Sequence, residues 1–229
     1  DVLGSRGLGD VYKRQVLFGS KDKVYFYSYR DSSLRLLQKL NKGSNFNISL
    51  LSLWNEHTVL CCSRWQGLAL LDLKTGKHRL PPFDCGKEIM NMLIDSQNRI
   101  WIAPYNEGIK CFTHNGELVK AYTTHNSDLS NNVVLSLAER EGKIWIGTDG
   151  GGINILEPET GRLSLLEHIP GGDNYSLPAT SIFCLYNDRN NNMWAGSIRN
   201  GLINIREVSM KTYTEVLTCL LYTSDAADE

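Results

Sequence analysis

Short apolar segments alternate with polar turns along the chain, and one arrangement of the two recurs four times. Each copy has an apolar strand, a polar turn, a second apolar strand, a glycine that opens a third strand, and a hairpin before a fourth. Alternating or wholly apolar runs of this length, broken by Asn-Gly or Thr-Gly pairs, indicate β-strands and tight turns. The central parts of the four copies are TVLCCSRWQGLALL, RIWIAPYNEGIKCF, KIWIGTDGGGINIL and NMWAGSIRNGLINI.

The spacing of the copies predicts the fold. The glycine that opens the third strand is Gly67, Gly108, Gly152 or Gly201, at intervals of about 40 to 50 residues. Four strands per unit at this period are typical of a β-propeller blade, and no apolar stripe of helical period is present. A fifth copy begins at Val16 with its second strand. We therefore predict an all-β fold: a β-propeller fragment with four complete four-stranded blades plus one partial blade, not closed.

Two columns of the repeat predict structural residues. The glycines of GTDGGG would cradle a phosphate only if they opened a helix, whereas here they precede a β-strand. We therefore interpret the four aligned glycines as turn glycines. Seven residues before them lie Leu60, Trp101, Trp145 and Trp194. We expect the three indoles to pack between neighbouring sheets, because a buried indole contributes a large apolar area.

The two ends of the chain resemble translated sequencing-adaptor DNA. SRGLGDVYKRQ begins at Ser5 and CLLYTSDAADE at Cys219, and one short DNA element read in opposite orientations encodes both DVYKRQ and CLLYTS. We expect residues 1–15 and 219–229 to be adaptor-derived, with a natural tail at each end as the alternative.

The remaining residues divide in two. We expect residues 16–206 to form the partial propeller domain and residues 207–218 to begin the next strand or blade. A propeller cut in this way exposes sheet faces at both ends. We therefore expect residues 16–218 expressed alone to aggregate or to remain partly unfolded.

Composition excludes some functions. The formal net charge is -1 and becomes about +1 without the two ends, so nothing indicates binding to nucleic acid or to an anionic membrane. No signal peptide or transmembrane run occurs, which in a cut chain does not decide the compartment.

Five cysteines lie outside the two ends, without CxxC or zinc-finger spacing, and we interpret them as buried free thiols in preference to a disulfide framework or metal site. They are Cys61, Cys62, Cys85, Cys111 and Cys184.

The repeat resembles that of two-component regulator propellers. The best matches are VLSLAEREGKIWIGTDGGGINILEPETGRL and IFCLYNDRNNNMWAGSIRNGLINI, and SDLSNNVV fits that family's Ser/Asn-rich lead-in to a blade. The resemblance covers about residues 16 to 206. Two copies depart from it, because Leu60 replaces Trp in one and APYNEG replaces G-T-x-x-G-G in another.

The resemblance implies a ligand sensor without enzymatic activity of its own. Propellers of this family form the extracytoplasmic sensor of membrane histidine kinases, often hybrid kinases, and many respond to oligosaccharides. By resemblance, we expect a periplasmic domain on the outer side of a bacterial inner membrane and a small-molecule ligand, an oligosaccharide. The expected partners are the remaining blades and the membrane kinase of the parent chain, with a homodimer as an option and no cofactor.

A ligand site is expected on the loops between the second and third strands. These loops and the crossings between blades emerge on one face, where aromatic rings stack on a sugar and polar groups bind its hydroxyls. For any single residue, ordinary polar loop composition is a sufficient explanation. Trp65 and Tyr105 are the best candidates for ligand binding, because aromatic side chains are less expected than polar ones in an exposed loop. The candidates are Arg64, Trp65, Gln66, Tyr105, Asn106, Glu107, Asp149, Arg199 and Asn200, with Asn131, Asn132, Asn174 and Tyr175 on the crossings.

No catalytic constellation or metal site is predicted. The histidines show no metal-ligand spacing. Asp95-x-x-Asn98 and Asp188-x-x-Asn191 resemble pieces of a calcium loop, but they recur at one turn position and lack its ligand count. We therefore interpret them as turn residues.

Two other functions remain open. A propeller enzyme, such as a lyase or a glycoside hydrolase, requires carboxylates and histidines that converge at the channel mouth. Two or more of Glu107, Asp149 and the histidines would then have to meet within reach of one bound water. A protein-binding scaffold requires a flat and apolar loop face. Fold alone does not choose among sensor, enzyme and scaffold.

Overall fold

The computed structural model describes residues 15–40, 46–86, 88–166, 180–198, 201–205 and 210–212. These residues form nineteen β-strands and no helix, so none of them lies in a helix that could cross a membrane. The chain divides into two compact units, Asp1–Ala121 and Tyr122–Glu229, which we call the first and second units. The expected adaptor-derived ends lie outside the described residues, except for residue 15.

The first unit contains three antiparallel sheets, one of three strands and two of four. In each of them the strands follow one another in chain order. The strands are β1 (Gln15–Ser20), β2 (Lys23–Ser28) and β3 (Ser33–Lys39); β4 (Ile48–Asn55), β5 (Thr58–Ser63), β6 (Gly67–Asp72) and β7 (His78–Arg79); and β8 (Ile89–Ile94), β9 (Ile100–Pro104), β10 (Ile109–Phe112) and β11 (Leu118–Tyr122).

The second unit contains two four-stranded sheets of the same order. Residues 210–212 supply the last strand of the second sheet, within the segment expected to begin the next strand or blade. The strands are β12 (Val134–Arg140), β13 (Lys143–Thr148), β14 (Ile153–Glu157) and β15 (Arg162–Leu165), and then β16 (Ile182–Asn187), β17 (Met193–Ser197), β18 (Gly201–Ile205) and β19 (Met210–Thr212). The prediction of an all-β fold built from repeated four-stranded sheets, not closed, is confirmed.

The glycine column occupies the turn that leads into the third strand of each four-stranded sheet. Gly67, Gly108, Gly152 and Gly201 adopt positive φ values of 81°, 71°, 70° and 67°. Residues with a β-carbon rarely adopt this conformation, so glycine is favoured at the position. The chain therefore turns there into a strand, as in any tight β-connection, and no helix follows.

A second glycine position sets how closely neighbouring sheets approach within a unit. In the second unit, a β-carbon on Gly147 of β13 would lie 2.8 Å from Cγ2 of Ile182, the first residue of β16. In the first unit, a β-carbon on Gly19 of β1 would collide in the same way with Ile48, the first residue of β4. Gly19 of β1 and Gly147 of β13 therefore occupy equivalent positions, and β13 is the second strand of its sheet. The first sheet thus corresponds to strands two to four of a blade, as the sequence predicts.

The tryptophan column is buried to different degrees. Trp101 is only 1% exposed and Trp145 is also buried, and Trp145 packs with Ile153 and Ile182 in the core of the second unit. Trp194 is half-buried, so the prediction of a fully packed indole does not hold equally for the last sheet.

Four of the five cysteines are buried free thiols, as predicted. Burial raises the pKa of the thiols of Cys61, Cys62 and Cys111 to about 12 and that of Cys85 to about 11. The prediction is wrong for Cys184, which is exposed. Its sulfur lies beside Gly196 on the face of the last sheet turned away from the apolar cluster of Ile182, Met193 and Ala195.

The first sheet carries apolar clusters on both faces. One face, with Leu17 and Val24, packs against the sheet β4–β7. The opposite face contains six uncharged apolar or aromatic residues in cross-strand register, and the rings of Phe18 and Tyr25 stack at 5.3 Å. We call it the outer apolar face of the first sheet; it consists of Val16, Phe18, Tyr25, Tyr27, Leu34 and Leu36.

Candidate functional site

Two predicted ligand loops meet at one end of the first unit. The dipeptide Glu88–Ile89, where β8 begins, lies between them. The backbone N–H of Ile89 donates to the carbonyl of Arg64 at 3.0 Å, and the N–H of Tyr105 donates to the carbonyl of Glu88 at 2.7 Å. Because Ile89 also pairs with Pro104, the β5–β6 loop (64–66) and the β9–β10 loop (105–107) are held side by side. We call this end the loop face of the first unit.

The β5–β6 loop presents a cation and an indole together. Nη2 of Arg64 donates a hydrogen bond to Sδ of Met90 in β8 at 3.3 Å. Cζ of Arg64 lies 5.3 Å from the ring centroid of Trp65. Trp65 itself remains 64% exposed. The guanidinium therefore rests on one aromatic side chain in a cation–π arrangement while much of the indole stays available to a ligand. Gln66, which closes the turn by donating its N–H to the carbonyl of Ser63 at 3.3 Å, is also exposed.

The β9–β10 loop presents a second exposed aromatic ring. Tyr105 is 51% exposed, and its backbone is fixed by the hydrogen bond to Glu88. Asn106 adopts a positive φ of 58°, a conformation that Asn tolerates better than most residues. Glu107 accepts a hydrogen bond from Nζ of Lys110 at 2.7 Å, so its charge is already paired.

Asp149 lies in the corresponding loop of the second unit. Its N–H donates to the carbonyl of Val133 at 2.9 Å, which repeats the bond that Tyr105 makes in the first unit. Its Oδ1 accepts a hydrogen bond of 2.6 Å from the hydroxyl of Ser181, the residue before β16. The carboxylate is therefore exposed but partly used to join this loop to the crossing that enters β16.

The crossing that enters β12 is held by its own asparagines. Nδ2 of Asn131 donates to the carbonyl of Asp149 at 2.7 Å, and its Oδ1 accepts the N–H of Val133 at 2.8 Å. Asn132 is bonded twice to Thr124, through both atoms of its amide group. Both amides therefore hold the crossing in place and have little capacity left for a ligand.

Buried polar side chains of β13 and β14 also hydrogen-bond to this crossing and to the adjacent loop. Nδ2 of Asn154 donates to the hydroxyl of Ser130 at 2.6 Å, and Oδ1 of Asn154 accepts the N–H of Ser130 at 3.1 Å. The hydroxyl of Thr148 donates to the carbonyl of Gly152 at 3.0 Å. A satisfied network of this kind stabilises one loop conformation. The Ser/Asn-rich lead-in thus fixes the backbone around Asp149.

The structure brings together six of the nine predicted site residues, all on the loop face of the first unit. Asp149 lies in the second unit. Met90 and the carbonyl of Glu88 also take part in this arrangement but escaped sequence reasoning. Met90 is revealed only by a contact between two sheets, and Glu88 by a backbone bond to a residue 17 positions later. Arg199, Asn200, Asn174 and Tyr175 lie outside the described residues.

The two aspartates that resemble calcium-loop fragments bind backbone and indole groups instead. Oδ1 of Asp95 accepts the N–H of Gln97 and of Arg99 at 3.0 and 2.8 Å. Asp188 makes the same kind of turn, with Oδ1 accepting the N–H of Asn190 at 2.8 Å. No group of three or more metal-ligating side chains occurs in the part of the chain that the structure describes.

The comparisons with known proteins match both the repeat and the fold. The family described as two component regulator propeller matches residues 128–150 and 176–199. The extracellular domain of the hybrid two component system BT3049 from B. thetaiotaomicron is similar in structure, with a TM-score of 0.63, 18% identity, and coverage of 86% of this chain and 26% of that one. The corresponding domain of BT4673 from the same organism gives a TM-score of 0.61, 21% identity, and coverage of 92% and 27%.

A third similar structure has a different setting. PorZ, a bacterial surface component of the type-IX secretion system of Porphyromonas gingivalis, gives a TM-score of 0.61 at 12% identity, with coverage of 87% of this chain and 33% of that one. A comparison with curated protein sequences finds no match. Identities this low show the fold alone, and the chain spans about a quarter to a third of the length of these structures.

The fold and the sequence therefore agree. The structural neighbours are propeller-like and the matched segments include Trp145 and Trp194, whose copies carry the resemblance noted in the sequence. Residues 128–150 and 176–199 match the two component regulator propeller family, which confirms the resemblance noted in the sequence.

Proposed function

We propose that this chain is a ligand-sensing part of an extracytoplasmic propeller in a two-component system of the hybrid type. It binds an oligosaccharide on its loop face and passes the resulting change in shape to a histidine kinase in the parent protein. In this role the propeller has no enzymatic activity of its own. The proposed location is the periplasmic side of a bacterial inner membrane.

The observation that carries the proposal is the pair of exposed aromatic rings on the loop face of the first unit. Trp65 and Tyr105 belong to neighbouring loops that are both hydrogen-bonded to Glu88–Ile89. Burying such rings inside the fold would stabilise the protein, so their exposure at a rigid position favours a binding role. Sugar rings stack on aromatic faces, and the polar groups of Gln66 and Asn106 are suited to sugar hydroxyls.

The repeat itself supports ligand binding. The first residue of the loop after the second strand is anchored by the same kind of backbone bond in three sheets. Tyr105, Asp149 and Ile198 each donate an N–H to the residue just before the first strand of their own sheet, at 2.7, 2.9 and 3.4 Å. The backbone is thus held constant while the side chain changes from aromatic to acidic to aliphatic. Such a rigid frame with variable side chains is typical of binding surfaces built on repeats.

The enzyme alternative has no specific observation in its favour. The carboxylate of Glu107 is ion-paired with Lys110, and that of Asp149 accepts a hydrogen bond from Ser181, so both already have partners within the protein. The scaffold alternative is favoured by PorZ, a surface component of a secretion system with a similar fold. Binding of a protein partner would use the same exposed rings, so ligand titration must distinguish the two.

The proposal is tested by calorimetric titration of the full chain with a panel of neutral and acidic oligosaccharides. We expect at least one to bind, and Trp65→Ala or Tyr105→Ala to weaken that binding by about tenfold or more, because each removes a stacking surface. Tyr29→Ala is the matched control, since Tyr29 is an equally exposed ring on the β2–β3 turn, away from the loop face. Binding that Trp65→Ala and Tyr105→Ala leave unchanged would reject this site.

A further inference from the structure

We infer that the loop face of the first unit selects an acidic sugar, with a carboxylate or sulfate group bound by Arg64 and a sugar ring stacked on Trp65. The inference rests on the proposed function and narrows its ligand to a charged class. Three observations support it: the fixed position of Arg64, the lack of an ion-pair partner for Arg64 among the described residues, and the exposed indole of Trp65 beside it.

Arg64 is held in place from two directions. Its carbonyl accepts the N–H of Ile89 at 3.0 Å, which fixes the backbone against β8. Its guanidinium contacts Sδ of Met90 at 3.3 Å and lies 5.3 Å from the ring centroid of Trp65. A long and exposed side chain normally samples many rotamers, so these contacts reduce the entropy that a ligand would otherwise have to remove.

The charge of Arg64 has no ion-pair partner in the part of the chain that the structure describes. A guanidinium has five N–H donors, and a thioether sulfur is only a weak acceptor for one of them. Among the residues that the structure describes, Arg64 forms no ion pair, whereas the neighbouring cation Lys110 is bonded to Glu107 at 2.7 Å. The unused donors form a planar fork that matches a carboxylate or a sulfate group.

The indole beside Arg64 adds the second half of the site. Trp65 follows Arg64 directly in the loop and is largely exposed. An aromatic surface next to a fixed cation suits a ligand with an apolar ring face and a negative substituent on that ring. Uronic acids and sulfated sugars both have this chemistry, whereas a neutral oligosaccharide offers Arg64 only hydroxyl acceptors and no charged partner.

The test compares charged and neutral forms of the same sugar by calorimetry on the full chain. Tetragalacturonate is titrated against its fully methyl-esterified form, and sulfated isomaltotetraose against isomaltotetraose. The variants are Arg64→Gln and Arg64→Lys. Arg35→Gln is the matched control, because Arg35 is an exposed arginine of the same unit whose partner is Asp31 on the β2–β3 turn.

We expect one charged sugar to bind at least about tenfold more tightly than its neutral form, since an Arg fork makes charge-assisted bonds. Arg64→Gln should remove that preference and leave the affinity for the neutral form within about twofold, while Arg64→Lys should retain part of it. Arg35→Gln should change nothing. The pair that shows the larger preference identifies the carboxylate or the sulfate as the natural group.

Three results would overturn the inference. Equal affinity for charged and neutral forms would reject the acidic class while leaving oligosaccharide binding intact. A charge preference that survives Arg64→Gln would move the recognition to another residue. Absence of binding to every sugar, charged or neutral, would reject the inference together with the proposed function.

Discussion

Nε1 of Trp101 donates a hydrogen bond of 2.8 Å to Oδ2 of Asp95, six residues earlier in the chain. The same bond recurs in the second unit between Trp194 and Asp188 at 2.9 Å. In both cases the carboxylate that organises the turn between the first and second strands also satisfies the indole on the second strand. The turn and the tryptophan are therefore held together by one carboxylate. Because the oxygens of these aspartates already accept several hydrogen bonds, they are poorly suited to bind a metal ion.

Removing the carboxylate of Asp95 should destabilise the first unit strongly. Asp95 is buried and also accepts a hydrogen bond from Nε of Arg99 at 2.7 Å, so Asp95→Ala removes an acceptor shared by a buried indole N–H, a guanidinium and backbone donors. We expect the free energy of unfolding to fall by about 3 kcal/mol or more, as measured by urea denaturation. Asp31→Ala is the control, since Asp31 is an exposed turn aspartate, and it should leave the midpoint almost unchanged. Similar midpoints for the two variants would contradict the structural role of Asp95.

The bond between Asp188 and Trp194 should appear in the pH dependence of stability. Hydrogen bonds, first from Trp194 and then from Asn192, lower the pKa of Asp188 from 3.8 to about 2. Because the folded-state pKa lies below the unfolded-state value, the carboxylate stabilises the fold above pH 4, and this contribution disappears as the pH falls towards 2.

The comparison of wild type with Asp188→Asn isolates this effect. The difference in unfolding free energy should be constant from pH 7 to pH 5 and should shrink between pH 4 and pH 2, measured by urea denaturation at each pH. A matched Asp72→Asn variant reports on a turn carboxylate that is bonded to Thr75 and has no indole partner. An Asp188→Asn difference as large at pH 2 as at pH 7 would rule out the proposed linkage.

Gly19 should be intolerant of any side chain because Ile48 occupies the space. Gly19→Ala should destabilise the first unit by about 1 to 3 kcal/mol through overpacking, since the new methyl group would collide with Ile48 in the next sheet. In the Ile48→Ala background the same substitution should cost clearly less. Thermal unfolding of the four proteins completes the double-mutant cycle. Additive costs would mean that the destabilisation does not arise from contact with Ile48.

The outer apolar face of the first sheet should promote association. Leu34 and Leu36 are 57% and 52% exposed, and the six residues of this face include no charged side chain. A face of this kind exceeds the scattered exposure of single apolar residues on soluble proteins. We expect Leu34→Lys together with Leu36→Lys to lower binding of an apolar dye and to reduce self-association in light scattering. Equal changes in Leu80→Lys and Leu118→Lys would show that the effect is not specific to this face, since these exposed leucines lie just after β7 and in β11.

The sequence predicts the fold because the repeat carries it in local signals. Alternating apolar strands, the glycine of positive φ at Gly152 and the indole at Trp145 recur at one spacing, and each of these features depends on residues close in the chain. The turn roles of Asp95 and Asp188 were predicted for the same reason.

The details of the site depend on contacts between sheets, which the sequence does not reveal. The support of Arg64 by Met90 joins residues of two different sheets. The bond from Ser181 to Asp149 likewise crosses from one sheet to the start of the next. Cys184 lies in an apolar strand and was expected to be buried, but burial depends on whether another sheet covers that face.

The most direct measurement of the central claim is hydrogen–deuterium exchange of the full chain with and without a saturating oligosaccharide identified by titration. The account predicts added protection at backbone amides of residues 64–67 and 105–108, with little change in the β2–β3 turn. Protection confined to the outer apolar face of the first sheet, or no change at either loop, would contradict the claim that the loop face of the first unit binds the ligand.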